Sequence, residues 1–308
     1  MAIEDRSIAV TGGAGFIGSW IAESLADANR VLVLDNLITG KKANLTKLKS
    51  KIKFINSDIR DAKKVASCLK GTDMVFHQAA NVQIPKSVED PVFDSGINIG
   101  GTLNILEACR VHDVGRIVFA SSSAVYGEPA ALPLKESHEK VPKSPYAASK
   151  LVAETYVRIY GELYGLGTAS LRYFNVYGPK QNPDSPYSGV ISIFIKNIRS
   201  GNPLTVFGDG RQTRDFVSVR DVVRANLMAA ESKNTGFAVN VGTGKRISLN
   251  DIMSILEKLS GTKLKIIRKN ARQGDVKHSC ADTSLAEKLL GFRAKTGLEE
   301  GLKELLMV

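Results

Sequence analysis

The stretch "SIAVTGGAGFIGSW", residues 7–20, decides the fold. Its first residues read as a short buried strand. Gly12, Gly15 and Gly18 follow at once, and "GSWIAESLAD" continues as a helix. Glycines at such a junction allow a tight turn and close backbone approach. The helix N-terminus then meets a pyrophosphate with N–H groups and its positive dipole end. A glycine-rich loop alone is weak evidence. Here it is joined by Asp35, at the end of the strand-like "RVLVLDN", about 20 residues on, as a dinucleotide fingerprint requires. A carboxylate at this place bonds both ribose hydroxyls of NAD and repels the 2′-phosphate of NADP. Lys41 and Lys42, close by, are the residues that would suit NADP instead. Asp58 ends the next strand, "IKFINSD", and falls near the adenine by the same topology; it could also simply cap the following helix.

The alternation continues. "DMVFHQAA" and "RIVFASSS" read as further strands. "RDAKKVASCLKG", "INIGGTLNILEACRVH" and "PYAASKLVAETYVRIYGELYG" read as helices between and after them. Short, almost continuously apolar strands rich in Val and Ile belong to a parallel sheet buried on both faces. The expected fold is therefore α/β, a Rossmann-type doubly wound parallel sheet. After "ASLRYFNVYGP" the rhythm breaks at a loop, "GPKQNPDSPYSG". Helix-like "VISIFIKNIRSG", strand "LTVFGDG", "RDFVSVRDVVRANLMAAES", strand "AVNVGTG", helix "SLNDIMSILEKLSG", strand "KLKIIRK" and a last helix at "SLAEKLLGF" follow. The expected division is a dinucleotide-binding domain over 1–174, with chain returning to it near 215–243, and a smaller substrate lobe over 175–308. The cleft between them is the expected ligand site.

Composition narrows the function. The 308 residues are 43% hydrophobic and 24% charged, ordinary for a globular enzyme. No apolar run approaches a membrane span, and the N-terminus does not read as a signal peptide. Cys68, Cys109 and Cys280 are far apart without CxxC spacing, which fits a reducing cytosol and neither a disulfide scaffold nor a metal site. The expected location is cytoplasmic, with no membrane partner. The net charge of +11 raises the question of nucleic acid. Its densest part, "KKANLTKLKSKIKF", lacks interleaved aromatics and reads as a solvated segment; no reading helix is visible. A basic balance also suits a small anionic substrate.

The chemistry lies in "VFASSSAVYGEP", residues 118–129, and "SPYAASK", residues 144–150. Three serines end a buried strand, where serine is a poor strand former. Tyr146 and Lys150 are one helical turn apart, so they share a face. A free tyrosine has a pKa of about 10. A neighbouring ammonium and a positive nicotinamide ring are expected to lower it, so that Tyr146 can remove or return a hydroxyl proton.

Together "TGGAGFIG", "DN" at 35–36, "HQAA", "SSSAVYG", "YAASK", "RYFNVYGP" and "GDGRQTRDFVSV" resemble the extended short-chain dehydrogenase/reductase family, and within it the nucleotide-sugar epimerases of the UDP-glucose 4-epimerase type. The resemblance runs through the whole chain, in order. It implies NAD as cofactor, a UDP-sugar as substrate, and a homodimer formed by helices near 98–112 and 146–164. It implies Ser122, Tyr146 and Lys150 as catalytic, with the Ser122 hydroxyl bridging the sugar O4 and Tyr146. Along the cofactor it places Phe16, Ile17, Asn36, Thr39, Gly40, Ile59, Gln78, Ala79, Ala80, Asn98, Ser121 and Tyr173, besides the residues already named. Around the UDP-sugar it places Ser123, Asn175, Val190, Val206, Arg214, Arg272, Asp275 and Ser279. Guanidinium groups suit a diphosphate because they bind its oxygens bidentately.

The same resemblance sorts the reactions. Dehydratases of the family carry an Asp-Glu pair after the catalytic threonine; Ser123 and Ala124 stand here and cannot do that proton chemistry. Uronate 4-epimerases carry an arginine in "RQRPD"; this chain reads "KQNPD", with Asn182 at that place. Members confined to small sugars put a tyrosine four residues after the aspartate of "GD"; Ser279 here leaves room for an acetamido group. The expected activity is reversible C4 epimerisation of a UDP-hexose through a 4-keto sugar, leaning to UDP-GlcNAc/UDP-GalNAc with UDP-Glc/UDP-Gal also accepted. The alternatives are a 4-keto-sugar reductase and, from another class, a dinucleotide-sensing binding protein.

Overall fold

The computed structural model describes residues 3–128, 131–184, 188–270 and 276–307. Its strands are β1 (Ser7–Thr11), β2 (Arg30–Asp35), β3 (Ile52–Asn56), β4 (Met74–His77), β5 (Arg116–Ser122), β6 (Gly167–Tyr173), β7 (Asn175–Tyr177), β8 (Leu204–Phe207), β9 (Thr213–Arg214), β10 (Phe216–Ser218), β11 (Phe237–Val241), β12 (Ile247–Ser248) and β13 (Ile266–Lys269). Its helices are α1 (Phe16–Leu25), α2 (Ala62–Leu69), α3 (Ile84–Glu89), α4 (Pro91–Ser95), α5 (Thr102–Val111), α6 (Pro145–Tyr164), α7 (Val190–Arg199), α8 (Val219–Glu231), α9 (Leu249–Ser260), α10 (Ser284–Leu290) and α11 (Leu298–Met307).

Seven of the strands form one sheet in the order β11-β6-β5-β4-β1-β2-β3. Every pairing within it is parallel. Alternate residues of the strands enter two separate cores. Ile8, Val10, Val33 and Val118 pack on one face with Ile21 of α1 and Val222 of α8. Ala9, Leu34, Val75 and Phe119 pack on the other with Ile105 of α5 and Ala153 of α6. Burial on both faces explains why these strands read as continuous apolar runs rather than alternating ones. The chain reverses direction across the sheet between β1 and β4, which is where an open α/β sheet forms its ligand crevice.

The chain after β6 builds a second core from Phe194 of α7, Val206 of β8, Ile252 of α9 and Leu302 of α11. It includes three two-stranded pairings, β7 with β10, β9 with β12 and β8 with β13. Two local expectations change. The last helix is α11, beyond the expected one at "SLAEKLLGF". Gly301 lies inside α11, where an added Cβ would run into the Tyr177 hydroxyl. The glycine is there for close packing and not to end a helix. Asp58 does not cap α2 either: Asp61 does, its carboxylate accepting the Lys64 N–H at 3.0 Å.

Candidate active site

The carboxyl ends of the central strands open into a cavity of about 800 Å³, within the range of small-molecule sites. Gly12 turns the chain out of β1 with φ +67°, and a Cβ there would stand 2.6 Å from the Ala79 nitrogen. A Cβ on Gly18 would meet the Gly12 carbonyl. Both positions therefore admit only glycine if the β1 turn is to sit against the end of β4. Gly15 caps α1 without a side chain, so Phe16, Ile17 and Gly18 of the first turn border the cavity directly. Asp35 is 7% exposed. Its carboxylate accepts the N–H groups of Ala14 at 2.9 Å and Leu37 at 2.8 Å. Burial pushes its pKa up, against the pull of those backbone donors. Asp58 is held low, at about 2, chiefly by its hydrogen bond from Arg60, with Asn36 donating to it as well.

The other end of the cavity is built by β5 and α6. Ser144 caps α6 by accepting the Ala147 N–H at 3.2 Å, and Pro145 occupies its first turn. This start fixes Tyr146, and Lys150 follows one turn later, both buried. Ser122, at the end of β5, and Tyr146 border the same cavity, and the Ser122 hydroxyl accepts the Ala124 N–H at 3.2 Å. The Lys150 Nζ donates to the Ala120 carbonyl at 2.8 Å and lies 4.9 Å from the centroid of the Phe119 ring.

One expectation about these residues is corrected. Burial pushes the Tyr146 phenol up, the Asp94 charge adds to the rise, and the Ser122 hydroxyl is the group that opposes it. The Lys150 ammonium is held by the strand-end carbonyl of Ala120. Burial brings Lys150 itself down to about 8, against the Asp94 charge.

All of the expected cofactor-lining residues border this one cavity except Asn98, which is buried behind it. Ser121 borders it too, but its hydroxyl is committed to the buried Glu154 at 2.6 Å rather than offered to a ligand. Of the expected sugar-nucleotide residues, Ser122, Tyr146 and Asn175 border the cavity. Ser123 starts the turn after β5 and Val190 opens α7, each half-buried. Val206 is completely buried in the second core, so its side chain is not on the cavity wall. Arg214 and Ser279 sit together around Thr213: Arg214 NH1 donates to the Thr213 carbonyl at 3.0 Å, as does the Ser279 N–H at 3.1 Å. Arg272 and Asp275 lie outside the described residues.

Comparison with known proteins decides the family. Residues 8–242 match the NAD dependent epimerase/dehydratase family. The chain is 47% identical over 304 residues to a putative UDP-glucose 4-epimerase of Methanocaldococcus jannaschii, covering 97% of each chain. The chain belongs to this family. Among solved structures it resembles the UDP-N-acetylglucosamine 4-epimerase of Methanobrevibacter ruminantium, in complex with UDP-N-acetylmuramic acid, with a TM-score of 0.96, 39% identity and coverage of 99% and 98%. It also resembles the Thermus thermophilus UDP-glucose 4-epimerase in complex with NAD, with a TM-score of 0.90, 40% identity and 98% coverage of both chains.

NAD is the cofactor of this epimerase/dehydratase family, and the cavity fits it. The uncapped first turn of α1 suits a pyrophosphate. The Asp35 carboxylate on the wall suits a pair of ribose hydroxyls. Lys41 and Lys42 are otherwise engaged: Lys41 donates to Asn182 at 3.1 Å, and Lys42 lies 5.5 Å from the centroid of the Phe54 ring.

The sequence reading missed a supporting layer. Asn226 of α8 is fully buried and holds the Tyr173 hydroxyl at 2.8 Å, while Gln78 accepts from that hydroxyl at 3.2 Å. Asp94 and Ser149 hold Asn98. Asn226 had no signal beyond being polar on a buried helix face, whereas Asp94, four residues before Asn98, had one. We expect Asp35→Ala to weaken NAD binding by roughly 10- to 100-fold, the cost of about 1–3 kcal/mol for a lost charged hydrogen-bond partner. Titration of cofactor-stripped protein by fluorescence or calorimetry measures it.

Proposed function

We propose that the protein interconverts UDP-GlcNAc and UDP-GalNAc at C4 through a 4-keto sugar, and accepts UDP-Glc and UDP-Gal as well. It is an NAD-dependent UDP-sugar 4-epimerase; the choice of sugar and the roles of single residues are the proposal. The observation that carries those roles is the placement of Ser122, Tyr146 and Lys150 together on the wall of the same cavity that holds Asp35 at its other end. Tyr146 takes the proton from the sugar O4 as general base and later returns it. Ser122 donates to that oxygen and keeps it in line with the phenol. Lys150 supplies a buried positive charge next to the reacting group. When bound, NAD⁺ would supply the acceptor for the hydride leaving the sugar C4, together with the positive charge of its nicotinamide ring. Because burial holds Tyr146 protonated, both positive charges act in the direction that frees the phenolate.

The smallness of Ser279 and the likeness to an N-acetylglucosamine 4-epimerase of solved structure favour an acetamido sugar. Ser123 and Ala124 after Ser122 disfavour dehydration, and Asn182, half-buried on the cavity wall, disfavours a uronate carboxylate. Incubation with UDP-GlcNAc, UDP-Glc and UDP-GlcA separately, followed by chromatography, tests the sugar. Product is expected from the first two, and none from UDP-GlcNAc would overturn the preference. In Tyr146→Phe, turnover should fall by at least 100-fold while NAD content is unchanged.

The protein is also proposed to act as a homodimer through α5 and α6. Val152 and Leu163, three turns apart on α6, share one face and are 39% and 68% exposed, and Val111 ends α5 at 58%. Large apolar side chains left exposed on these two helices suit a subunit interface. Light scattering should give twice the chain mass for the wild type and a shift toward monomer for Leu163→Asp.

A further inference from the structure

Behind Tyr146 and Lys150 lies a buried polar knot centred on Asp94 of α4. Its side chain is completely buried. One carboxylate oxygen accepts from the Asn81 amide at 2.7 Å and the Asn98 amide at 3.1 Å. The other accepts from the Ser149 hydroxyl at 2.7 Å. Ser149 lies between Tyr146 and Lys150 on α6, and its oxygen accepts the Asn98 amide at 3.1 Å. Asn98 itself sits in the π-helical turn Gly96–Gly101, and its side-chain Oδ1 accepts the Asn81 backbone N–H at 2.9 Å. Asn81 borders the cavity. Three segments thus converge on one carboxylate directly behind the reacting end.

That carboxylate also answers an electrostatic need. The Lys150 side chain is almost completely buried, and a buried charge without compensation is costly. Its surroundings offer little else. From β5 come the Ala120 carbonyl and the Phe119 ring. From β4 comes His77, which burial pushes down to about 3, with Lys150 adding to the fall, so that it stays neutral between the hydroxyls of Thr11 and Thr102. On α6 itself, Tyr146 is neutral when protonated. Glu154, one turn further on, is committed to Arg172 at 2.5 Å and to Ser121. Asp94 is the group whose charge acts on both Lys150 and Tyr146.

We propose that Asp94 is a positioning residue of the epimerase reaction and the counter-charge of Lys150: it fixes Asn81, Asn98 and Ser149, and keeps the lysine ammonium charged in a site that excludes water. The inference rests on the roles given above to Tyr146 and Lys150. Removing a negative charge lowers the pKa of every group near it. Turnover that needs Tyr146 able to ionise and Lys150 charged has an acid limb and a basic limb, and Asp94→Asn moves both toward lower pH.

The test is the pH profile of kcat for the NAD-loaded enzyme with a UDP-sugar. Asp94→Asn should shift both limbs acidward by about one pH unit, which is the order expected for a close charge. Ser149→Ala removes the hydrogen bonds of that hydroxyl to Asp94 and Asn98 but keeps the charge; its kcat should fall with the limbs in place. Limbs unmoved in Asp94→Asn, with only a uniform loss of kcat, would reduce Asp94 to a structural part and overturn the proposal. Should that variant not fold, the wild-type enzyme is labelled at lysine Cε and the Lys150 resonance is followed with pH. A midpoint at or above 7 supports a compensating charge, and one below 7 overturns it. That readout needs no turnover. It separates failure of the counter-charge from failure of the catalytic roles, which an active Tyr146→Phe would reveal on its own.

Discussion

A lysine ammonium that is 3% exposed sets the terms for the rest of the site. It must be charged to be useful and it must be enclosed to be strong, and these demands conflict. The protein meets them with a strand-end carbonyl, an aromatic face and a neutral histidine, and with a carboxylate placed behind the helix that carries it. The same bond from Lys150 to Ala120 ties α6 to the end of β5. The glycine turn at the end of β1 answers a second constraint, the close approach of two backbones at the crossover of the sheet.

A second buried ion pair braces the same region. Arg172 of β6 and Glu154 of α6 pair at 2.5 Å, with side chains 5% and 9% exposed. Glu154 accepts the Ser121 hydroxyl, and Arg172 donates to the Tyr126 hydroxyl, which in turn reaches Asn240 of β11. Through these bonds the serine-rich end of β5 is tied to α6 and to two neighbouring strands. A segment that reads as three hydroxyls in a row is therefore divided among roles: Ser121 serves the framework, Ser122 borders the cavity with Tyr146, and Ser123 turns the chain.

Much of this was legible in the sequence, for physical reasons. Strands buried on both faces leave apolar runs, a glycine turn before a helix leaves a spacing, and Tyr146 with Lys150 leaves a one-turn interval. What was not legible depends on contacts across long separations. The last helix, α11, has Gly301 in its interior, where the Tyr177 ring lies against it. Asp58 reads as a possible cap, but Arg60 holds it and Asp61 caps α2 instead. That the Lys150 Nζ is held by the Ala120 carbonyl also appears only in the folded structure. Val206 reads as a ligand contact, but its alternation within β8 turns it into the second core.

The edge strand β11 carries a consequence for how the molecule comes into being. Its partner β6 ends at Tyr173, and Phe237–Val241 pairs with it only after the chain has left to form α7, β8 and α8. A nascent chain halted before residue 237 has an open, apolar sheet edge and an incomplete core beneath α8. Such an edge invites pairing with other chains. Non-local pairing of this kind also slows folding, because loop closure must precede the contact that rewards it. During synthesis the seven-stranded sheet therefore cannot be completed until the chain has passed residue 241, long after β6 has formed.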